Sequence, residues 1–330
     1  MNGMEDQIRL FEIIKSKIPK HQRLADVIEE LLGVGSDSAY RRIRGSTELS
    51  FSELKKICST FNLSIDEMLN YNSSKSALFH YTPVDYSIQS YIDYIIQMAD
   101  NLSVILKSSS DKELISTAQD IPFYHFFKHH ELALFRLFAW SDTINNTSMS
   151  YCDFCTHLEE KNIISVYKQI HNTYICTPSK EIWNDQTVDT TLRLLEYYYE
   201  AGAFDSCKDT TLMLLDRLDS LMDMVKQYAD CGYKDEKRRT QFALYHSSVD
   251  LGNNLMLARD ETKSLCAIRL YLINRIITDN ELLCYETEKW INSLISKSIL
   301  ISGDGAFKER YKFFQLTKNK IDGLRNKISS

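Results

Sequence analysis

Residues 24–69 restrict the fold more than any other stretch, because two short helices flank a glycine turn there. Leu24, Val27, Ile28, Leu31 and Leu32 recur at helical spacing and present one face to a core. Gly33 and Gly35 bracket Val34, a turn that glycine allows because it accepts positive φ, with Val34 plugging the small core. Ser36 is placed to cap the next helix, and Asp37 falls in its first turn, where a carboxylate is favoured. Ala39 and Ile43 share the inner face of that helix, and Gly45 ends it as a C′ glycine does. A second helix that closes on Arg41, Arg42 and Arg44 after such a turn has the geometry that enters the major groove of DNA.

The flanking residues extend this pattern to five helices. Ile8, Leu10, Phe11, Ile13, Ile14 and Ile18 give an amphipathic first helix that Pro19 stops. Ser50-Phe-Ser-Glu53 and Ser64-Ile-Asp-Glu67 each match the capping box S-x-x-E and start helices four and five. Phe51, Leu54, Ile57, Phe61, Leu63, Ile65, Met68 and Leu69 complete the core. Residues 8–70 resemble the lambda-repressor-like (XRE-type) helix-turn-helix family, on the Val34 turn, the Arg44-Gly45 helix end and the Leu63–Leu69 close. The resemblance implies that helix 36–44 is the recognition helix. It places Ser36, Asp37, Ser38, Tyr40 and Arg41 at bases or nearby phosphates and Arg44 at phosphate. Arg42, intermediate in the face it presents, and Lys55 are expected among the DNA-binding residues as well, and Lys56 adds to the basic surface. Glu29 stands where the family carries a small residue and Ala25 where it often carries glutamine, so the family's glutamine–phosphate brace does not carry over.

Charge separates this head from the rest. Residues 1–75 hold 11 basic and 11 acidic residues, and residues 76–330 hold 28 and 34, so the body carries the whole net charge of −6. An acidic body repels DNA and confines any contact to the head. Only 10 Gly and 4 Pro occur in 330 residues, few for a sandwich, barrel or Rossmann fold. The expected fold class is therefore all-α. The expected domains are a helix-turn-helix domain at 1–70, a polar linker at 71–83 and a helical body at 84–330. Expected body helices cover 86–106, 123–140, 154–174, 188–201, 204–228, 239–258, 264–277, 281–301 and 307–328, packed antiparallel. Glu196–Phe204 looks like the turn of a tetratricopeptide-type hairpin, although no 34-residue period repeats cleanly. The chain also resembles bacterial two-part regulators that join an XRE-type head to a long helical body, on residues 36–45 and 181–202.

Catalytic and metal motifs are weak. Cys152-Asp-Phe-Cys155 with His157 is a single C-x-x-C, whereas a structural zinc site needs four ligands. His125, His129 and His130 lack the H-E-x-x-H order, and Ser302-Gly-Asp-Gly305 is too short for a phosphate loop. No metal, cofactor or enzymatic activity is expected. With no secretory signal, no apolar membrane span and no disulfide framework, a cytoplasmic protein is expected. The reading is a dimeric DNA-binding transcriptional regulator on a pseudo-palindromic operator. Its body would oligomerise, sense a small-molecule or peptide effector, or do both. The alternative is a protein-interaction scaffold whose head and helical groove bind protein partners.

Overall fold

Each helix of the N-terminal unit, Met1–Leu78, starts or stops on a residue whose chemistry requires it. The structure is a computed structural model. It describes residues 3–330 except 20, 62, 64, 66–76, 85–86, 108–111, 146–148, 160–162, 205–206, 236, 238 and 262, with backbone alone at 16, 101–107, 144–145, 159 and 207. Helix α1 (Gly3–Lys17) ends before Pro19 and buries Leu10, Phe11 and Ile14. Helix α2 (Leu24–Leu32) closes on Gly33, whose φ of 67° lets its N–H reach the Glu29 carbonyl at 2.9 Å. Val34 packs half-buried against the head core, and α3 (Ser36–Ile43) follows.

Gly35, not Ser36, occupies the N-cap of α3, and no side chain caps that end. Ser36 is already the first helical residue. The other end is a Schellman motif: Gly45 (φ 77°) donates to the Arg42 carbonyl at 3.0 Å and Ser46 to that of Arg41 at 2.8 Å. Gly45 also lies under α1, where an added Cβ would stand 2.7 Å from Met4 Cγ. Helix α4 (Phe51–Phe61) starts on the expected capping box: Ser50 N–H donates to Glu53 at 2.9 Å, and Glu53 N–H donates to Ser50 Oγ at 3.3 Å. Of the expected fifth helix, Met68, Leu69 and most of the segment lie outside the described residues; Leu63 and Ile65 pack against the head core.

The second unit, Phe79–Ser330, overturns the all-α expectation. Its centre, among the described residues, is a mixed eight-stranded sheet. Strand β1 (His80–Tyr81), from the stretch read as linker, pairs at one edge; α5 (Ile88–Lys107) and β2 (Glu113–Ala118) follow. Four helices then cross to β3: α6 (Phe123–Phe126), α7 (His130–Asn145), α8 (Tyr151–Glu159) and α9 (Ile163–Ile175). Strand β3 (Ser179–Trp183) runs parallel to β2. Helices α10 (Asp189–Glu200) and α11 (Cys207–Cys231) then cross to β4 (Phe242–His246), parallel again. An antiparallel meander adds β5 (Leu255–Arg259), β6 (Ser264–Arg269) and β7 (Arg275–Thr278). Helix α12 (Glu281–Ser296), β8 (Ile299–Leu300) and α13 (Phe307–Ser329) follow, and the strands lie side by side in the order β1-β7-β6-β5-β2-β3-β4-β8.

The corrected segments are 239–258 and 264–277, expected as helices and found as β4 to β7. Two physical reasons account for this. Five- or six-residue apolar runs have no decisive period. The hairpins also turn without glycine or proline: Asp260 Oδ1 accepts from Lys263 N–H at 2.9 Å, and Leu270 N–H donates to the Asn274 carbonyl at 2.9 Å. Scarce turn residues were therefore a poor guide to strand content. The hairpin around Gly202 exists, but as part of the β3–β4 crossover rather than a helical repeat.

Both faces of the sheet are covered, as parallel strands require. Leu114, Trp183 and Phe242 face the large helical layer; Ile115, Ile182 and Leu257 face a smaller core under α12. On the larger side Glu181, fully buried at the centre of β3, is the acceptor for four side chains. Trp183 Nε1 donates at 2.8 Å, Tyr174 OH at 2.6 Å and Tyr124 OH at 3.1 Å, and His125 Nε2 lies at 2.9 Å. Burial opposes its charge, but His125 and Tyr174 outweigh that and hold the carboxyl below the ordinary glutamate range.

Thermal unfolding should show Gly45→Ala less stable by at least about 1 kcal/mol, since alanine resists positive φ; Gly323→Ala, in open space within α13, should gain about 0.5–1 kcal/mol. Glu181→Ala should cost about 3–5 kcal/mol by urea unfolding, because it leaves buried donors without an acceptor.

Candidate nucleic-acid interface

Helix α3 buries Ala39 and turns most of its polar side chains outward. Ser36, Asp37, Tyr40, Arg41 and Arg44 are exposed, Ser38 is half-buried, and Lys55 is exposed on α4. Arg41 Nη2 lies 2.9 Å from Asp37 Oδ2, one turn back along the helix. Both groups are largely in solvent, so the pair is worth only about 0.3–0.5 kcal/mol. Arg41 is therefore easily released to a stronger acceptor, a phosphate or a guanine edge. Asp37 loads the helix N-terminus and holds Arg41 in the meantime. The Arg44 guanidinium sits 5.9 Å from the centre of the Tyr40 ring.

Arg42 has a different environment. Its Nε donates to Glu53 Oε1 at 3.1 Å, its Nη2 approaches the same oxygen at 2.9 Å, and its Nη1 donates to the Ser38 carbonyl at 3.2 Å. Both partners are largely buried, with 17% and 18% of their side-chain surfaces exposed. Arg42 thus joins α3 to the capping box of α4. Burial opposes the Glu53 charge, but the Ser50 N–H and Arg42 outweigh it and hold the carboxyl below its ordinary value.

One residue missed in the sequence reading completes this scaffold. Gln7, on α1, donates to the carbonyls of Arg42 at 2.7 Å and Thr47 at 2.8 Å, and accepts from Leu49 N–H at 3.0 Å. A single amide side chain thereby satisfies three backbone groups of the α3–α4 connection. Its signal was a glutamine next to Ile8 on an otherwise apolar helix face.

The remaining candidates lie in the second unit. His125 is engaged by Glu181, and Cys152 and Cys155 sit on α8, the first exposed and the second half-buried. Among the described residues no group of three or more His, Cys, Asp or Glu side chains is placed to hold a metal ion, and no helix is long and apolar enough to cross a membrane. Ser302–Gly305 is a turn held by Arg310, whose Nη1 donates to the carbonyls of Ile301, Gly303 and Gly305 at 2.9–3.0 Å.

Residues 7–91 match the family model of the BetR domain. This match points to a helix-turn-helix-type DNA-binding domain with a regulatory role in the N-terminal part of the chain. It covers the turn at Val34, all of α3 and the capping box of α4. No curated protein and no solved structure matches the chain.

The two neighbouring arginines should separate cleanly. Amide exchange over α3 and α4 in the full-length chain should show Arg42→Ala destabilising the head by roughly 1–2 kcal/mol, as loss of a charged hydrogen bond does. Arg41→Ala should change it by less than about 0.5 kcal/mol. Because Glu53 titrates below its ordinary 4.5 when folded, the bridge contributes fully above that pH and is lost as the pH falls through the lower folded value. The difference between wild type and Arg42→Ala should shrink in the same window.

Proposed function

We propose that this chain is a sequence-specific transcriptional regulator with a lambda-repressor-like head, in which α3 is the recognition helix. The observation that carries the reading is the exposed cationic face of α3, Arg41 and Arg44, within the stretch that matches the BetR domain. In this reading Ser36, Asp37, Ser38, Tyr40 and Arg41 face base edges or flanking phosphates, and Arg44 and Lys55 contact phosphate. Arg42 acts indirectly by fixing α3 to α4. Two heads on one pseudo-palindromic operator require a homodimer, for which the second unit supplies the surface. That unit carries the acidic excess, so it stays off the DNA and serves for assembly and signal sensing. The protein acts by binding rather than by catalysis, in the cytoplasm.

The test is selection of genomic fragments by purified full-length protein. Wild type should enrich one shared, two-fold-related site, and Arg41→Ala should weaken that site by about 1–3 kcal/mol while sparing random DNA. Arg44→Ala should weaken both and flatten the salt dependence by about one counterion. Retention of a lysate protein in place of DNA would favour a scaffold.

A further inference from the structure

Helices α5, α6 and α7 and the β6–β7 hairpin line a partly open cavity of about 40 Å³, with Tyr91, Tyr94, Phe123, Arg136, Arg269 and Arg275 among its walls. A second cavity, of about 30 Å³, shares Phe123, Arg269 and Arg275 with it. Three guanidiniums thus meet a largely aromatic space. Among the described residues a fully buried Asp120 is the carboxylate partner of two of them: Arg136 Nη2 lies 2.5 Å from its Oδ2 and Arg269 Nη1 2.7 Å from the same atom. Thr191 OH and the Asn254 amide oxygen fix Asp120 from the side chain and the backbone.

Two of the guanidiniums keep unmet demand for an acceptor. Arg136 is only 5% exposed, yet its Nη1 is buried with no hydrogen-bond partner. Arg275 has no ion-pair partner among the described residues; its Nη1 meets Met98 Sδ at 2.9 Å, and its guanidinium carbon stacks 3.6 Å from the centre of the Phe123 ring. Burial is the main influence on both groups and disfavours their charge, and Arg269 adds repulsion. Arg275 is half-buried and Arg136 buried; a guanidinium N–H withdrawn from water without an acceptor is costly, and a carboxylate is the anion that matches guanidinium forks. The walls of Tyr91, Tyr94 and Phe123 leave an apolar body next to that charge, and the volume admits a chain of only a few atoms.

We propose that this cavity binds a short-chain aliphatic carboxylate, whose charge is met by Arg136 and Arg275. Its binding stands on this geometry alone, while its role as the effector rests on the DNA-binding reading of α3. The site would then be the sensing element of the second unit, with the β6–β7 hairpin and α5 as the elements whose packing an occupant changes.

The experiment is thermal unfolding of the full-length protein without DNA, titrated with butyrate against butyramide, chloride and phosphate at matched ionic strength. Butyrate alone should raise the melting temperature by several degrees in a saturable manner, as a ligand of the folded state does. Arg275→Gln should weaken that effect at least tenfold while leaving the ligand-free melting temperature no lower, because it removes a half-buried charge that has no ion-pair partner among the described residues. Should Arg275→Gln not fold, Arg275→Lys keeps the charge without the fork and should still weaken butyrate several-fold. Equal stabilisation by butyramide, stabilisation by phosphate or chloride in place of butyrate, an undiminished effect in the variants, or no effect in wild type would each overturn the proposal. None of these outcomes bears on whether α3 binds DNA, which the operator selection decides separately.

Discussion

A carboxylate with no water around it must be surrounded by donors, and Glu181 imposes that requirement on the whole second unit. It sits between Ser116 of β2 and Leu244 of β4, at the middle of the parallel part of the sheet. Its donors come from β3 itself through Trp183, from α6 through Tyr124 and His125, and from α9 through Tyr174. These are the first and last helices of the β2–β3 crossover, so one buried charge fixes both ends of that excursion against the sheet. Ser116 extends the network from β2, sharing a hydrogen bond of 3.0 Å with Tyr124. Lys234 closes the far side, its Nζ on the carbonyls of Tyr174 and Thr177 and 3.4 Å from the centre of the Tyr174 ring. Burial holds its ammonium well below the ordinary lysine range, with Glu181 opposing that shift. Such a network specifies one arrangement because any other strands a donor or a charge.

The head is held together by a different kind of constraint, and this is why so much of it was legible. Its determinants are local: Pro19 stops α1, Gly33 and Gly45 adopt the left-handed conformation, and Ser50 and Glu53 cap each other within four residues. A cap or a C′ glycine needs no knowledge of the tertiary structure. The boundaries of α2 were accordingly readable to the residue. Where a local rule had two solutions it failed by one position, and Gly35 rather than Ser36 stands at the N-cap of α3. Gln7 was out of reach for the opposite reason, since its three partners lie 35 or more residues away.

The second unit was misread where long-range pairing decides the structure. Strand β2 is buried along nearly its whole length, so its pattern lacks the alternation of a one-sided strand. Strands β5 and β6 interleave residues of two separate cores, Met256 and Leu265 on one side against Leu257 and Cys266 on the other. A run that is apolar on both faces reads equally well as a buried helix. The hairpin turns used aspartate and asparagine, and a count of glycine and proline does not register them. The helical segments that stood alone as amphipathic runs, α10, α12 and α13, were read with their start points nearly right.

Arginine shows most clearly what composition leaves undetermined. Four of these side chains have four different electrostatic settings. Arg41 shares solvent with Asp37 and is held weakly. Arg42, its neighbour in sequence, is withdrawn into a bridge with Glu53. Arg136 shares the single carboxylate of Asp120 with Arg269. Arg275 has an aromatic ring and a thioether where an anion would be expected. A guanidinium that is exposed and loosely paired can be given up to a partner at little cost, whereas one locked to a buried carboxylate positions its helix instead. One that is half-buried without a carboxylate has unmet demand for an anion. The position of the missing acceptor therefore distinguishes a surface that meets a macromolecule, a strut within the fold and a pocket for a small anion. On that criterion α3 with Arg41 and Arg44 faces outward, Arg42 belongs to the scaffold, and Arg275 marks the cavity in the second unit.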